Sequence, residues 1–146
     1  MAATVMNIAK GKVAYYATPA ANTAIIAIPL ETAGIESDAT LQDYDTVAAL
    51  LAGATNEQTA MGRKTCASVT VTVDDTNNRV DVDCADLTWT AATGNACSRL
   101  LFAYDPDTTG GSDTELIPLV IDDFIVTPTG GDITYQVNAA GFYRAS

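Results

Sequence analysis

Two strictly alternating segments, separated by a short polar stretch, limit most what this chain can fold into. Ser68-Val-Thr-Val-Thr-Val73 places valines at odd positions, and Arg79-Val-Asp-Val-Asp-Cys84 places apolar residues at even ones. Alternation with period two marks a strand with one apolar face. Facing valine to valine pairs Val73 with Val80, Val71 with Val82 and Val69 with Cys84. That register leaves Asp75-Thr-Asn-Asn78 as a four-residue loop, closed by the opposite charges of Asp74 and Arg79. A slip of one residue sets every valine against a charged side chain, so the pattern selects a single hairpin.

The rest of the chain extends this β reading. Thr23 to Leu30 is expected to be a strand, with Pro29 confining its end to an edge or exit. Leu87 and Trp89 are apolar at odd positions, so the chain must bulge or bend near Ala85-Asp86 to keep one face buried. Arg99 to Tyr104 reads as a strand buried on both faces, and a further strand runs from Glu115 to Ile121. A hairpin is expected from Phe124–Val126 and Ile133–Val137, with Phe124 opposite Tyr135, Val126 opposite Ile133 and a Pro128–Gly131 loop. Gly141 to Ser146 forms a last short strand. One helix is expected over about 40–52, capped by Asp38 or Thr40 and ended by Gly53 in a left-handed conformation. Leu41, Tyr44, Val47, Ala48 and Leu51 give it one apolar stripe.

This amounts to about seven strands and one helix in 146 residues, room for one domain. The expected fold is mainly β, a single-domain β-sandwich or barrel-like Greek key with one short inserted helix. Residues 1–22 read as an extended N-terminal arm and residues 23–146 as the β-rich domain.

Charge and composition then narrow the function classes. The net charge is −11, which repels a phosphate backbone and argues against nucleic-acid binding. Every Asp and Glu lies at or beyond Glu31, while the first thirty residues carry only Lys10 and Lys12. No apolar run is long enough to span a bilayer, and the N-terminus lacks the pattern of a signal peptide, so synthesis and use in the cytoplasm are expected and no membrane partner.

Histidine is absent, which removes the commonest general base and every histidine triad. Cys66, Cys84 and Cys97 form no CxxC motif and have neither a neighbouring lysine nor a helix start to activate them. They read as buried thiols acting as small hydrophobes. Gly110-Gly111 and Gly130-Gly131 lack the Lys-Ser/Thr of a phosphate-binding loop. The chain is therefore expected to be non-enzymatic and to need no cofactor.

Two acidic groups remain as candidate cation sites. Alternation sets Asp81 and Asp83 on one exposed face near Asp74, Asp75 and Asp86, and Asp105, Asp107 and Asp113 share a loop. The first does not follow the spacing of an EF-hand loop, neither offers a full ligand set, and both read as solvated faces, so no metal is assigned. The N-terminal arm carries the candidate interface: Val5, Asn7, Ile8, Lys10, Lys12 and Val13, a mildly basic segment set against an acidic domain. The alternative is that Val5, Ile8 and Val13 simply form a first strand or helix.

Several longer stretches carry a family likeness. They are Asn7-Ile-Ala-Lys-Gly-Lys-Val13, Leu41-Gln-Asp-Tyr-Asp-Thr-Val-Ala-Ala-Leu-Leu51, Met61-Gly-Arg-Lys-Thr65, Val73 to Asp83, Leu87 to Asn95 and Ala140-Gly-Phe-Tyr-Arg144. In these the chain resembles the small structural proteins encoded among the head genes of tailed bacteriophages, particularly those of actinobacteria. The resemblance implies a virion component synthesised in the host cytoplasm, a capsid decoration (cement) protein on the outer surface of the head. It implies the major capsid protein as partner and a homo-oligomer, with a trimer favoured. A tail tube or adaptor subunit is the alternative. A calcium- or carbohydrate-binding β-sandwich module, resting on Trp89 and the Asp ladder, is a third reading.

Overall fold

The computed structural model describes residues 3–6, 21–77 and 79–145 of the chain. Ten strands and two short helices occur among them. In order they are β1 (Thr4–Val5), β2 (Ala24–Glu31), α1 (Asp38–Leu41), α2 (Val47–Ala52), β3 (Lys64–Thr65), β4 (Thr70–Asp74), β5 (Arg79–Asp83), β6 (Leu87–Trp89), β7 (Cys97–Asp105), β8 (Ile117–Val126), β9 (Ile133–Tyr135) and β10 (Tyr143–Ala145). They make three antiparallel sheets, ordered β1-β8-β7-β2-β3, β10-β5-β4 and β6-β9. The fold is mainly β and sandwich-like, with no closed barrel among the described residues.

The β4–β5 hairpin forms in the register that alternation selects: Val71 faces Val82, Val73 faces Val80 and Asp74 faces Arg79. The ladder stops at Thr70 opposite Asp83, one pair short of the expected Val69–Cys84. Ser68 has φ 55°, a left-handed kink, and the next backbone bond runs from the Ala85 N–H to the Ala67 carbonyl at 2.9 Å. The bend expected near Ala85-Asp86 is present, because residues 84–86 leave one sheet and Leu87 opens another.

The long strands β7 and β8 supply the middle of the core. Residues Leu100 to Tyr104 are all buried, as expected for a strand covered on both faces. Pro29 lies within β2, opposite Leu100, and not at its end. It is tolerated because β3 pairs only with Ile26 and Ala27. At Pro29 the outer side of β2 meets a loop, and the Pro29 carbonyl accepts the Gln58 N–H at 2.9 Å. A strand residue's N–H and C=O point the same way, so the missing donor faces that loop and removes no ladder bond.

Three further expectations are corrected. The single helix over 40–52 is two short ones. Ser37 caps the first, its side chain accepting from the Thr40 N–H. Thr46, in an extended conformation, caps the second through the Ala49 N–H. Asp43, Asp45 and Thr46 favour caps and turns over helix interior, so the stripe breaks between Leu41 and Val47. The N–H groups of Val47 and Ala48 bond instead to the carbonyls of Leu116 and Asp113.

Gly53 is extended (φ −74°, ψ −151°) and not left-handed. Its lack of a side chain leaves room for Glu36 and Tyr44.

The terminal hairpin also differs. Phe124 to Val126 continue β8 along β7, with Val126 opposite Cys97, while β9 crosses to β6 and sets Leu87 opposite Tyr135. Phe124 and Tyr135 do meet, but edge to face with ring centres 5.9 Å apart, as packed side chains from different sheets.

Candidate assembly surface

The N-terminal candidates divide sharply. Thr4 and Val5 form β1 and pair with Ile121 and Val120, and the Met6 N–H donates to the Leu119 carbonyl at 2.9 Å. The Met6 side chain is fully buried, so this stretch is anchored on the edge of β8. Asn7, Ile8, Lys10, Lys12 and Val13 lie outside the described residues.

The least covered element is β4. Among the described residues it has a neighbour, β5, on one side only. Thr70, Val71, Thr72 and Val73 are exposed on both faces. Val71 is 38% exposed and Val73 66%; with Ile125 they are the large hydrophobic residues left at the surface among the described residues. Edge strands are normally blunted by lysine, proline or a bulge, and Thr70–Val73 has none. The charge that follows, Asp74, is held by Arg79 at 3.2 Å and by the N–H groups of Thr76 and Asn77. Its carboxyl is drawn below the usual carboxylate value by the Asn77 bonds first, and further by Arg79. The bare face therefore reaches the hairpin tip with its one acid already paired.

Asp81 and Asp83 of the first acidic group, and Asp105, Asp107 and Asp113 of the second, are engaged with other groups. Asp81 is half-buried, not exposed, and lies between Arg79 at 3.0 Å and Arg144 at 2.7 Å. Asp83 accepts the Cys84 N–H. In the second group, Asp105 and Asp107 each accept a backbone N–H two residues ahead, which shapes the loop. Among the described residues no three metal-ligating side chains converge. Trp89, which a sugar-binding module would have to present, is 1% exposed, and its indole N–H donates to the Gly62 carbonyl at 2.8 Å.

Sequence reasoning missed Arg63. Its guanidinium binds Glu57 through Nε (2.8 Å) and Nη2 (2.6 Å), and Asp113 through Nη1 (2.6 Å) and Nη2 (2.9 Å). It thereby ties the 105–113 loop to the segment after α2, beside an open concavity of about 420 Å³. Nothing in the sequence pairs these residues, because Asp113 is fifty positions away from Arg63.

Arg63 holds the Asp113 carboxyl below its ordinary value of 3.8, against the opposing effect of burial. A depressed carboxylate stabilises the fold above that value and ceases to as pH falls through and below it. Arg63→Met is accordingly expected to cost about 1–2 kcal/mol at neutral pH, where two carboxylates lose their shared cation. The deficit should shrink between neutral pH and about pH 2, as pH falls below 3.8 and protonation removes the pair. Urea midpoints at both pH values measure it, and an equal deficit at each would rule out a charge origin.

No protein-family model, curated protein or solved structure matches this chain.

Proposed function

We propose that this chain is a non-enzymatic virion structural protein, a decoration (cement) subunit. On this reading it binds the outer surface of a tailed-phage head through the major capsid protein and acts as a homo-oligomer, a trimer by preference. The observation that carries an assembly role is the bare edge of β4, with Val71 and Val73 at the surface. An open strand with an apolar face binds an extended segment of another chain by adding it to the sheet. Main-chain bonds then give affinity and the valine face gives register. The choice of a phage head as the lattice rests on the resemblance described above. An acidic surface suits a particle that must stay dispersed.

The test is co-sedimentation of the purified protein with expanded heads and with isolated tails. Saturable binding to heads and a raised head melting temperature are expected. Val73→Lys should weaken binding about tenfold or more, because a charge enters the apolar face. Its own folding free energy should change by less than about 0.5 kcal/mol, since the site is at the surface. Binding to tails alone would replace the head reading with a tail tube or adaptor. Undiminished binding by Val73→Lys would remove β4 from the interface.

A further inference from the structure

We infer that Cys66 and Cys84 are a paired dithiol that closes into an intrachain disulfide, linking the five-stranded sheet to the three-stranded one. This does not depend on the proposed function. Cys66 directly follows β3, and its N–H donates to the Ile25 carbonyl on β2 at 2.8 Å, so it belongs to the five-stranded sheet. Cys84 directly follows β5 of the other sheet. One residue beyond each cysteine, the Ala85 N–H bonds to the Ala67 carbonyl at 2.9 Å and draws the two segments together. The two thiols lie close enough for each to perturb the other's ionisation. Both side chains are buried, Cys66 at 6% and Cys84 at 7% exposure.

Cys97 is not part of this pair. Its sulfur lies 3.8 Å from the Met61 sulfur and 3.9 Å from the Asn95 carbonyl.

Each thiol acts on the other: the Cys84 sulfur and then burial push the Cys66 thiol up, and Cys66 in turn draws the Cys84 thiol down against burial and the neighbouring Asp83 and Asp86. The thiolate is the attacking species in disulfide exchange, so whichever of the two ionises opens the reaction.

With a low-molecular-weight disulfide as oxidant, the thiolate of one of the two cysteines attacks one of its sulfurs. The S–S bond breaks and one small thiol leaves as its thiolate. The second cysteine then loses its proton to solvent and attacks the first protein sulfur, expelling the second small thiol. Overall, two protein thiols are oxidised to one disulfide and one small disulfide is reduced to two thiols. The new bond encloses the whole β4–β5 hairpin in a covalent loop and restricts its unfolded ensemble.

The experiment uses the full chain, reduced and then equilibrated under native conditions with oxidised glutathione. Thiols titrated in denaturant should fall from the three present at the start to one. The mass should drop by about 2 Da, as one disulfide requires. A non-reducing peptide map should join Cys66 to Cys84 with Cys97 alkylated, and the urea midpoint of the oxidised form should rise. Cys97→Ser should close in the same way, whereas Cys66→Ser should stop at a glutathione adduct on Cys84. Three thiols after equilibration, a persistent glutathione adduct on the unmutated chain, or a bridge involving Cys97 would each overturn the inference.

Discussion

Phe102→Ala is expected to lower the free energy of unfolding by about 4 kcal/mol and the melting temperature by about 12 °C. Phe102 is fully buried in β7, between Ala27 of β2 and Val120 of β8. Its ring stacks on Phe142 at 4.5 Å and 16°, and meets Tyr135 at 5.8 Å and 57°. Phe142 leads into β10 of the three-stranded sheet, and Tyr135 ends β9 of the third. One side chain thus bridges all three sheets. Truncation loses the transfer energy of the ring and leaves a cavity lined by hydrogen-bonded strands that cannot collapse into it. Phe102→Leu keeps most of the volume and should cost about 1.5 kcal/mol. Urea unfolding of the three proteins checks both values. A loss below about 1 kcal/mol for the alanine variant would mean that the sheets are held together elsewhere.

The stack on Phe142 also shows where sequence reading stops. Strict alternation fixed the β4–β5 register because a one-residue slip there has a visible cost for every pair. The same alternation says which residues share a face but not whether anything covers it. Val71 and Val73 have the pattern of core residues and yet lie at the surface. Phe124 and Tyr135 were legible as neighbours in the core, but contact between two aromatic rings is equally compatible with adjacent strands and with packed sheets. Only the competing claim of β7 on the edge of β8 decides between them. The helix failed for a local reason: a good apolar period ran through Asp43, Asp45 and Thr46, whose side chains prefer caps.

Contacts formed across long separations left no trace in the sequence. Arg63 with Asp113, and Cys66 with Cys84, are brought together by the fold alone. Of the expected interface, the structure describes Val5, by its backbone pairing, and β4 was not foreseen as an edge.

Gly141→Ala should be nearly as damaging as loss of Phe102, for a different reason. Gly141 has φ +86°, and a Cβ built there would lie 2.3 Å from the Val82 carbonyl oxygen and 2.8 Å from its carbon. Both are backbone atoms of β5, which no rotamer change can move. The same Val82 oxygen accepts the Phe142 N–H at 3.0 Å, and the Gly141 N–H closes a turn on the Asn138 carbonyl at 2.7 Å. The chain can approach β5 this closely only without a side chain.

An alanine must therefore displace Phe142 and Tyr143, both 5% exposed, and release β10 from β5. A cost of about 3–5 kcal/mol follows from exposing two buried aromatics. Gly130→Ala separates collision from conformational strain: its φ is +89°, but nothing lies within 4 Å of the added carbon. That variant should cost only about 1 kcal/mol. Trypsin reports the difference directly, because Arg144 lies within β10 and should be cut readily in Gly141→Ala but not in Gly130→Ala.

The consequence reaches the proposed interface, since β5 would be left paired with β4 alone and two-stranded ribbons are marginal in water. Gly141→Ala should then lose amide protection in β4 as well as β10. If β4 stays protected while β10 is cut, the hairpin is held by its contacts near Cys66 and Cys84, and the bare edge stands independently of the C-terminal strand.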